Sequence, residues 1–174
     1  MKKIYLSGER PNPEEHNSQF LESIKKYNFA EKFSLGKDVL EIGCAFGYGV
    51  GLLSDKAKKI VGIDLYPEVT QEAKKKFNKK NTEFVAMDAM NLGFRDGSFD
   101  LICSFETIEH LKDQNRFIKE VARVLRPDGE FILSTPNNRE MTKTNAPFHV
   151  REFNAQALTD VLKVAFKTIM ILGM

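Results

Sequence analysis

Three apolar residues, Val39, Leu40 and Ile42, lead directly into glycines at 43, 47 and 49, and this join constrains the fold more than any other stretch of the chain. The apolar run reads as a buried strand, and the segment after Gly49 is compatible with a helix. Glycine has no Cβ, so a strand that stops at such a turn lets backbone approach a ligand closely. Glu41 sets an acceptor group at the entrance to the turn. A second apolar run, Ile60 to Ile63, ends on Asp64, a natural partner for ribose hydroxyls. The pair of strands predicts a ligand that contains a nucleoside.

Two ligand classes use this arrangement. A dinucleotide needs G-x-G-x-x-G, with its pyrophosphate on the helix N-terminus. From Gly43 this chain reads G-C-A-F-G-Y-G, with Ala45 at the second glycine position and Tyr48 at the third. A carboxylate at Glu41 would also repel two phosphates. It suits a cationic ligand, and S-adenosylmethionine carries an ammonium and a sulfonium but no phosphate.

With these residues the chain resembles the class I S-adenosylmethionine-dependent methyltransferases, from about Gly8 to Ile171. The family's first motif is similar to Glu41-Ile-Gly-Cys-Ala-Phe-Gly47, its second to Val61-Gly-Ile-Asp64, and its third to Phe84-Val-Ala-Met-Asp-Ala89. Ser98 through Leu111 resembles the strand and loop beside the transferred methyl. Arg123 to Gly129 and Phe131 to Asn137 resemble the late helix, turn and strand. Five motifs in order and spacing make the likeness specific. Gly8-Glu-Arg10, Phe105 to His110 and Phe148 to Phe153 look most like a bacterial and archaeal subgroup associated with polysaccharide biosynthesis, which implies a sugar or lipid-like acceptor.

The remaining chain agrees with one domain of the α/β class. Its 174 residues can bury one sizeable core, and 42% hydrophobic with 29% charged residues is ordinary for a globular chain. A net charge of +2 is too small to imply a nucleic-acid partner. No apolar run approaches the ~20 residues of a membrane span, and the N-terminus lacks the apolar length of a signal peptide. Two cysteines fit a reducing cytoplasm better than a disulfide framework. Strands and helices alternate, which predicts a Rossmann-like, mostly parallel sheet with helices on both faces. Residues 1–35 are expected as a helical cap region and 36–174 as the cofactor-binding core.

The apolar spacing places a helix from near Pro13 through Phe20, Leu21, Ile24 and Tyr27. Strands are predicted at 39–42, 60–64, 83–87, 99–104, 130–134 and 167–172. Helices are predicted at 50–58, after Pro67, over Leu111 to Leu125, and after an Asn154 cap. Pro127 to Gly129 reads as a turn. The family's sheet usually ends with a seventh, antiparallel strand beside the sixth, and this sequence stops at Met174. An exposed edge there predicts a homodimer or another covering element.

For the donor, the expected contacts are Glu41, Gly43, Cys44, Ala45, Gly47, Tyr48, Asp64, Leu65, Asp88, Ala89, Met90, Ser104 and Phe105. The resemblance assigns Asp88 to the adenine amino group, with a helix N-cap as the plain alternative. Leu65 is either a cover for the adenine or a core leucine. Glu41 either orients the turn or meets the donor's ammonium, or it only satisfies backbone N–H groups. Tyr48 packs over the donor or onto the N-terminal helix. Lys26, before Tyr27, stands where the subgroup often has arginine, and Arg10 is the other basic residue there.

On the acceptor side stand Glu106, Glu109, His110, Asn137, His149 and Arg151. Imidazole titrates near neutrality, so His110 first and His149 second are candidate bases for a hydroxyl acceptor, with hydrogen bonds that only hold the loops as the plain alternative for each. Glu106 is better placed than the adjacent Glu109 to orient His110, and Glu109 reads mainly as a loop-holding residue. Three histidines and two distant cysteines give no recognisable metal-ligand spacing, so no metal is expected. The lysine run 74–80 reads as a solvated helix face. The expected activity is methyl transfer to a small molecule. A non-catalytic or truncated donor-binding protein and an NAD-dependent oxidoreductase are the rivals.

Overall fold

The computed structural model describes residues 18–138 and 148–172. Gly8, Arg10, the helix start near Pro13 and the loop segment 145–147 lie outside the described residues.

Among the described residues five strands form one parallel sheet: β1 (Asp38–Ile42), β2 (Lys59–Asp64), β3 (Thr82–Ala86), β4 (Phe99–Phe105) and β5 (Leu125–Ser134). Their spatial order is β3-β2-β1-β4-β5. The chain builds outward from β1 to β3, then returns to the other side of β1. The order reverses between β1 and β4, and the crevice beyond their carboxyl ends is where such sheets hold ligands.

Helices cover both faces, which explains why the central strands are mostly apolar, with Glu41 and Ser104 buried among them. Val39, Leu40, Leu101 and Ile102 are fully buried. On one face α1 (Ser18–Ser34) and α2 (Tyr48–Leu53) pack Ala30, Val50 and Leu53 against Val39, Ile60, Leu101 and Cys103. On the other, α4 (Gln114–Val124) and α5 (Ala155–Leu162) bring Phe117, Ile118, Val121, Val161 and Leu162 to Leu40, Ile42 and Ile102. Between β2 and β3 runs α3 (Pro67–Lys76), opened by Pro67 and presenting Lys74, Lys75 and Lys76 to solvent.

The ends of these helices have local causes. Asp113 caps α4 by accepting the Arg116 backbone N–H at 2.9 Å, so Leu111 lies before the helix and not on it. Asn154 caps α5 through the Ala157 N–H at 2.8 Å, as its sequence position predicts. The predicted helix 50–58 is shorter and shifted, ending at Leu53. There the Asn81 amide takes up the Ser54 and Ala57 carbonyls at 2.8 and 3.1 Å.

Two expectations fail. Pro127 to Gly129 does not precede β5 as a separate turn. The strand starts at Leu125, opposite Phe99, and residues 126–129 bulge before Glu130 pairs with Leu101. Arg126 holds the bulge through ion pairs to Asp100 and Asp38, and a Cβ at Gly129 would meet Leu125 at 2.7 Å. The second failure is the sixth strand. Residues 167–172 form no strand, and Met170, Ile171 and Leu172 are exposed. Apolar character alone does not make a strand: a ladder needs a neighbour, and among the described residues this segment pairs with none.

Candidate functional site

The glycine turn after β1 is built from left-handed backbone. Gly43, Ala45 and Gly47 have φ of 77°, 45° and 81°. The N–H groups of Gly43 and Cys44 both donate to the Ile63 carbonyl at 2.9 Å, and that of Gly47 to the Cys44 carbonyl at 2.9 Å. A Cβ on Gly47 would stand 2.7 Å from the Phe84 ring and 2.8 Å from Ala73. Glycine is needed there both for the conformation and for the space.

Asp64, at the carboxyl end of β2, ties the turn in place. One carboxylate oxygen accepts the Ala45 N–H at 3.1 Å and the other accepts the Tyr66 N–H at 3.2 Å. Leu65 follows at 59% exposure, which removes the core alternative. Past β3, Asp88 accepts the Met90 N–H at 2.8 Å, and Asn91 N–H closes the turn on the Asp88 carbonyl at 3.0 Å. Asp88 thus caps a turn, not a helix. Ala89 and Met90 are half-buried against the main core cluster.

Not every predicted donor contact presents its side chain. Cys44 is 3% exposed and packs towards β2, where a Cβ on Gly62 would meet its Sγ, so only its backbone belongs to the turn. Ser104 is buried, and its Oγ has no hydrogen-bond partner among the described residues. Phe105 sets its ring edge-on to Tyr27 at 5.0 Å, and Tyr48 meets Tyr27 at 6.2 Å, so both belong to an aromatic cluster under α1.

That cluster surrounds Glu41, whose partner sequence reasoning missed. Tyr27 donates its hydroxyl to Glu41 Oε1 at 2.5 Å, and Oε2 has no hydrogen-bond partner among the described residues. Burial pushes the Glu41 carboxyl up to about 8, against the opposing hydrogen bonds from Tyr27 and the Val50 backbone. The Tyr27 hydroxyl is pushed above its ordinary value by burial and by Glu41. Gly49 is glycine because a Cβ there would run into both Tyr27 and Glu41. The neighbouring Lys26 reaches Glu106 at 2.5 Å, and Ser134 donates to the same oxygen at 2.6 Å. Glu106 sits at φ 49°, a strained setting for a residue with a Cβ. Its carboxylate is engaged by Lys26 and Ser134, and the expectation that it orients His110 is not met.

Beyond β4 a 3-10 turn (Ile108–His110) carries Glu109 and His110. The returning loop is pinned to it, with Val150 and Arg151 N–H donating to the Glu109 carbonyl at 2.8 and 3.1 Å. This supports the loop-holding role of Glu109 and also buries its side chain completely. Burial pushes that carboxyl up to about 7, opposed by its own backbone N–H and by the Thr135 hydroxyl, with Glu106 adding to the rise. The His110 and His149 rings lie 5.0 Å apart, edge to face. His110 Nδ1 meets the Phe148 carbonyl at 3.1 Å, and His149 Nδ1 meets Glu152 Oε1 at 2.7 Å. Glu152 was missed in the sequence; its one signal was its place three residues after His149. Asn137 forms an isolated bridge to Phe153, and Arg151 lies over the Phe153 ring at 5.1 Å. Both residues meet Phe153, whereas the two histidine rings meet each other.

Known proteins agree with this architecture. Residues 40–133 match the methyltransferase domain family model. A probable S-adenosylmethionine-dependent methyltransferase of Mycolicibacterium smegmatis is 39% identical over 167 residues, 92% of this chain and 64% of that protein. One of Mycobacterium tuberculosis is 35% identical over 91% of this chain and 60% of its own length. The chain therefore spans somewhat less than two thirds of these curated relatives. The crystal structure of the YcgJ protein of Bacillus subtilis superposes with a TM-score of 0.72 at 25% identity, covering 82% of this chain and 68% of that one. With a family match over more than half of its length, laid on a parallel sheet of the same fold, this chain belongs to the methyltransferase domain family.

Proposed function

We propose that this chain binds S-adenosylmethionine at the carboxyl ends of β1 to β4 and directs its methyl group to an oxygen of a small sugar or lipid-like acceptor. The observation that carries the reading is the left-handed Gly43–Gly47 turn, locked to the Asp64 carboxylate at the point where strand order reverses. The residues fit the donor. The turn brings the backbone of its glycines to the crevice, Asp64 at the end of β2 suits a ribose, and exposed Leu65 offers an apolar cover for adenine. Asp88 stands at the end of β3 for the exocyclic amine. Glu41 lies beneath the turn, buried and bonded to Tyr27, and with its carboxyl raised to about 8 it supports the turn as an uncharged group near neutral pH.

When bound, the donor supplies an already activated methyl group on a sulfonium. The chain's task is then to hold an acceptor oxygen within about 3–3.5 Å of it, in line and away from water. His110, and second His149, stand on the acceptor side where a hydroxyl would give up its proton.

The test is calorimetric titration with S-adenosylhomocysteine on the wild type and on Asp64→Ala. Binding weakened at least tenfold by the substitution, about 1.4 kcal/mol, is the expected result. A well-folded wild type that does not bind overturns the reading and leaves a non-catalytic protein as its successor.

A further inference from the structure

We propose that Glu109, His110 and His149 form a binding site for a divalent first-row transition-metal ion, which holds and polarises an oxygen of the acceptor. Binding of the ion stands on geometry alone, whereas its use on an acceptor rests on the methyl-transfer reading above.

A carboxylate oxygen of Glu109 and one ring nitrogen from each histidine lie within 4.8 Å of one another. Glu109 and His110 come from the turn after β4. His149 comes from the loop that the Glu109 carbonyl itself fastens through Val150 and Arg151. The spacing along the chain hid this set, because only the return of that loop brings the third residue in. The proposal replaces the expectation of no metal.

Two further observations point to a cation. Glu109 is fully buried, and while Oε2 accepts the Thr135 hydroxyl at 2.9 Å, Oε1 has no hydrogen-bond partner among the described residues. A buried carboxylate oxygen in that condition is costly, and a metal ion satisfies it. Both histidines also carry the outer arrangement that metal-ligating imidazoles use. His110 Nδ1 is hydrogen-bonded to the Phe148 carbonyl, and His149 Nδ1 to the Glu152 carboxylate. Glu152 is in turn held by the Asn138 amide at 2.8 Å. An acceptor on Nδ1 keeps the proton there, fixes the ring and makes Nε2 the ligand atom.

Two imidazoles and a carboxylate favour zinc, iron(II), cobalt or manganese over calcium and magnesium, which prefer all-oxygen ligation. Three protein ligands leave places on such an ion for oxygen from a substrate. A hydroxyl bound there has a lowered pKa and gives its proton to solvent water, and His110 and His149 then act as ligands in place of bases.

Co²⁺ is the probe. The metal-free protein is titrated with Co²⁺ alone while visible absorption and the histidine ring protons are followed by spectrophotometry and NMR. The expected result is saturation at one ion per chain, with the ring protons of His110 and His149 shifted or broadened ahead of those of His16. Glu109→Gln and His149→Ala should each weaken binding at least tenfold while S-adenosylhomocysteine still binds. No saturable binding, or spectra that spare both rings in the wild type, overturns the proposal without relying on either variant to fold. Co²⁺ binding at these rings by a protein that does not bind S-adenosylhomocysteine supports the site and refutes the methyl-transfer reading instead.

Discussion

Replacing Glu41 by glutamine isolates the most strongly displaced carboxyl beneath the glycine turn. Burial raises it from 4.5 to about 8, and at 1.36 kcal/mol for each pH unit this corresponds to on the order of 5 kcal/mol. The sign follows from proton affinity. The folded protein holds this proton more tightly than the unfolded chain does. The group's contribution to stability is therefore complete below pH 4.5, declines as pH rises, and is lost above about pH 8. Glutamine keeps an oxygen to accept the Tyr27 hydroxyl and removes the titration. Urea denaturation of both proteins at several values between about pH 5 and pH 9 measures the difference. Other titrating groups, Glu109 included, are common to both and cancel in it. The wild type should lose several kcal/mol relative to Glu41→Gln across that window, and the loss should level off at its alkaline end. Parallel stability curves would mean that Glu41 keeps its charge in the folded state, and the reasoning would be refuted.

Two other outcomes are expected. Gly47→Ala forces a Cβ against Phe84 and Ala73 in left-handed backbone; it should cost about 1–3 kcal/mol in denaturant unfolding and abolish S-adenosylhomocysteine binding. Self-association, if it uses the outer edge of β5, should produce a dimer in sedimentation at tens of micromolar (~10⁻⁵ M), and proline at an outward-donating position of that strand should abolish it; a monomer throughout rejects that proposal.

The three central strands were legible because they are largely buried. Runs such as Val39 to Ile42 and Ile60 to Ile63 have no other reading once glycine or aspartate ends them. The helix starts at Asn154 and Pro67 were legible for a similarly local reason. What escaped depended on distant partners. Lys167 to Leu172 has the composition of a strand, but composition does not supply a neighbour to pair with. The bulge at Arg126 to Gly129 is set by Asp38 and Asp100, which no local pattern links to it. The glycine turn and Asp64 could be found in the sequence because each lies at the end of its own strand. Tyr27 beside Glu41, and His149 beside Glu109, could not, because each pair joins elements whose packing is decided by the whole core.

The contact among Tyr27, Glu41 and Gly49 has a consequence for how such chains diverge. Three positions from two helices and a strand share one small volume. A side chain at 49 is admissible only in a lineage that has already given up the tyrosine or shortened the glutamate, and a lone acid at 41 is a burden once its phenol is gone. Among relatives, these positions should therefore change as a set, and a sequence carrying only one of the three replacements should be rare.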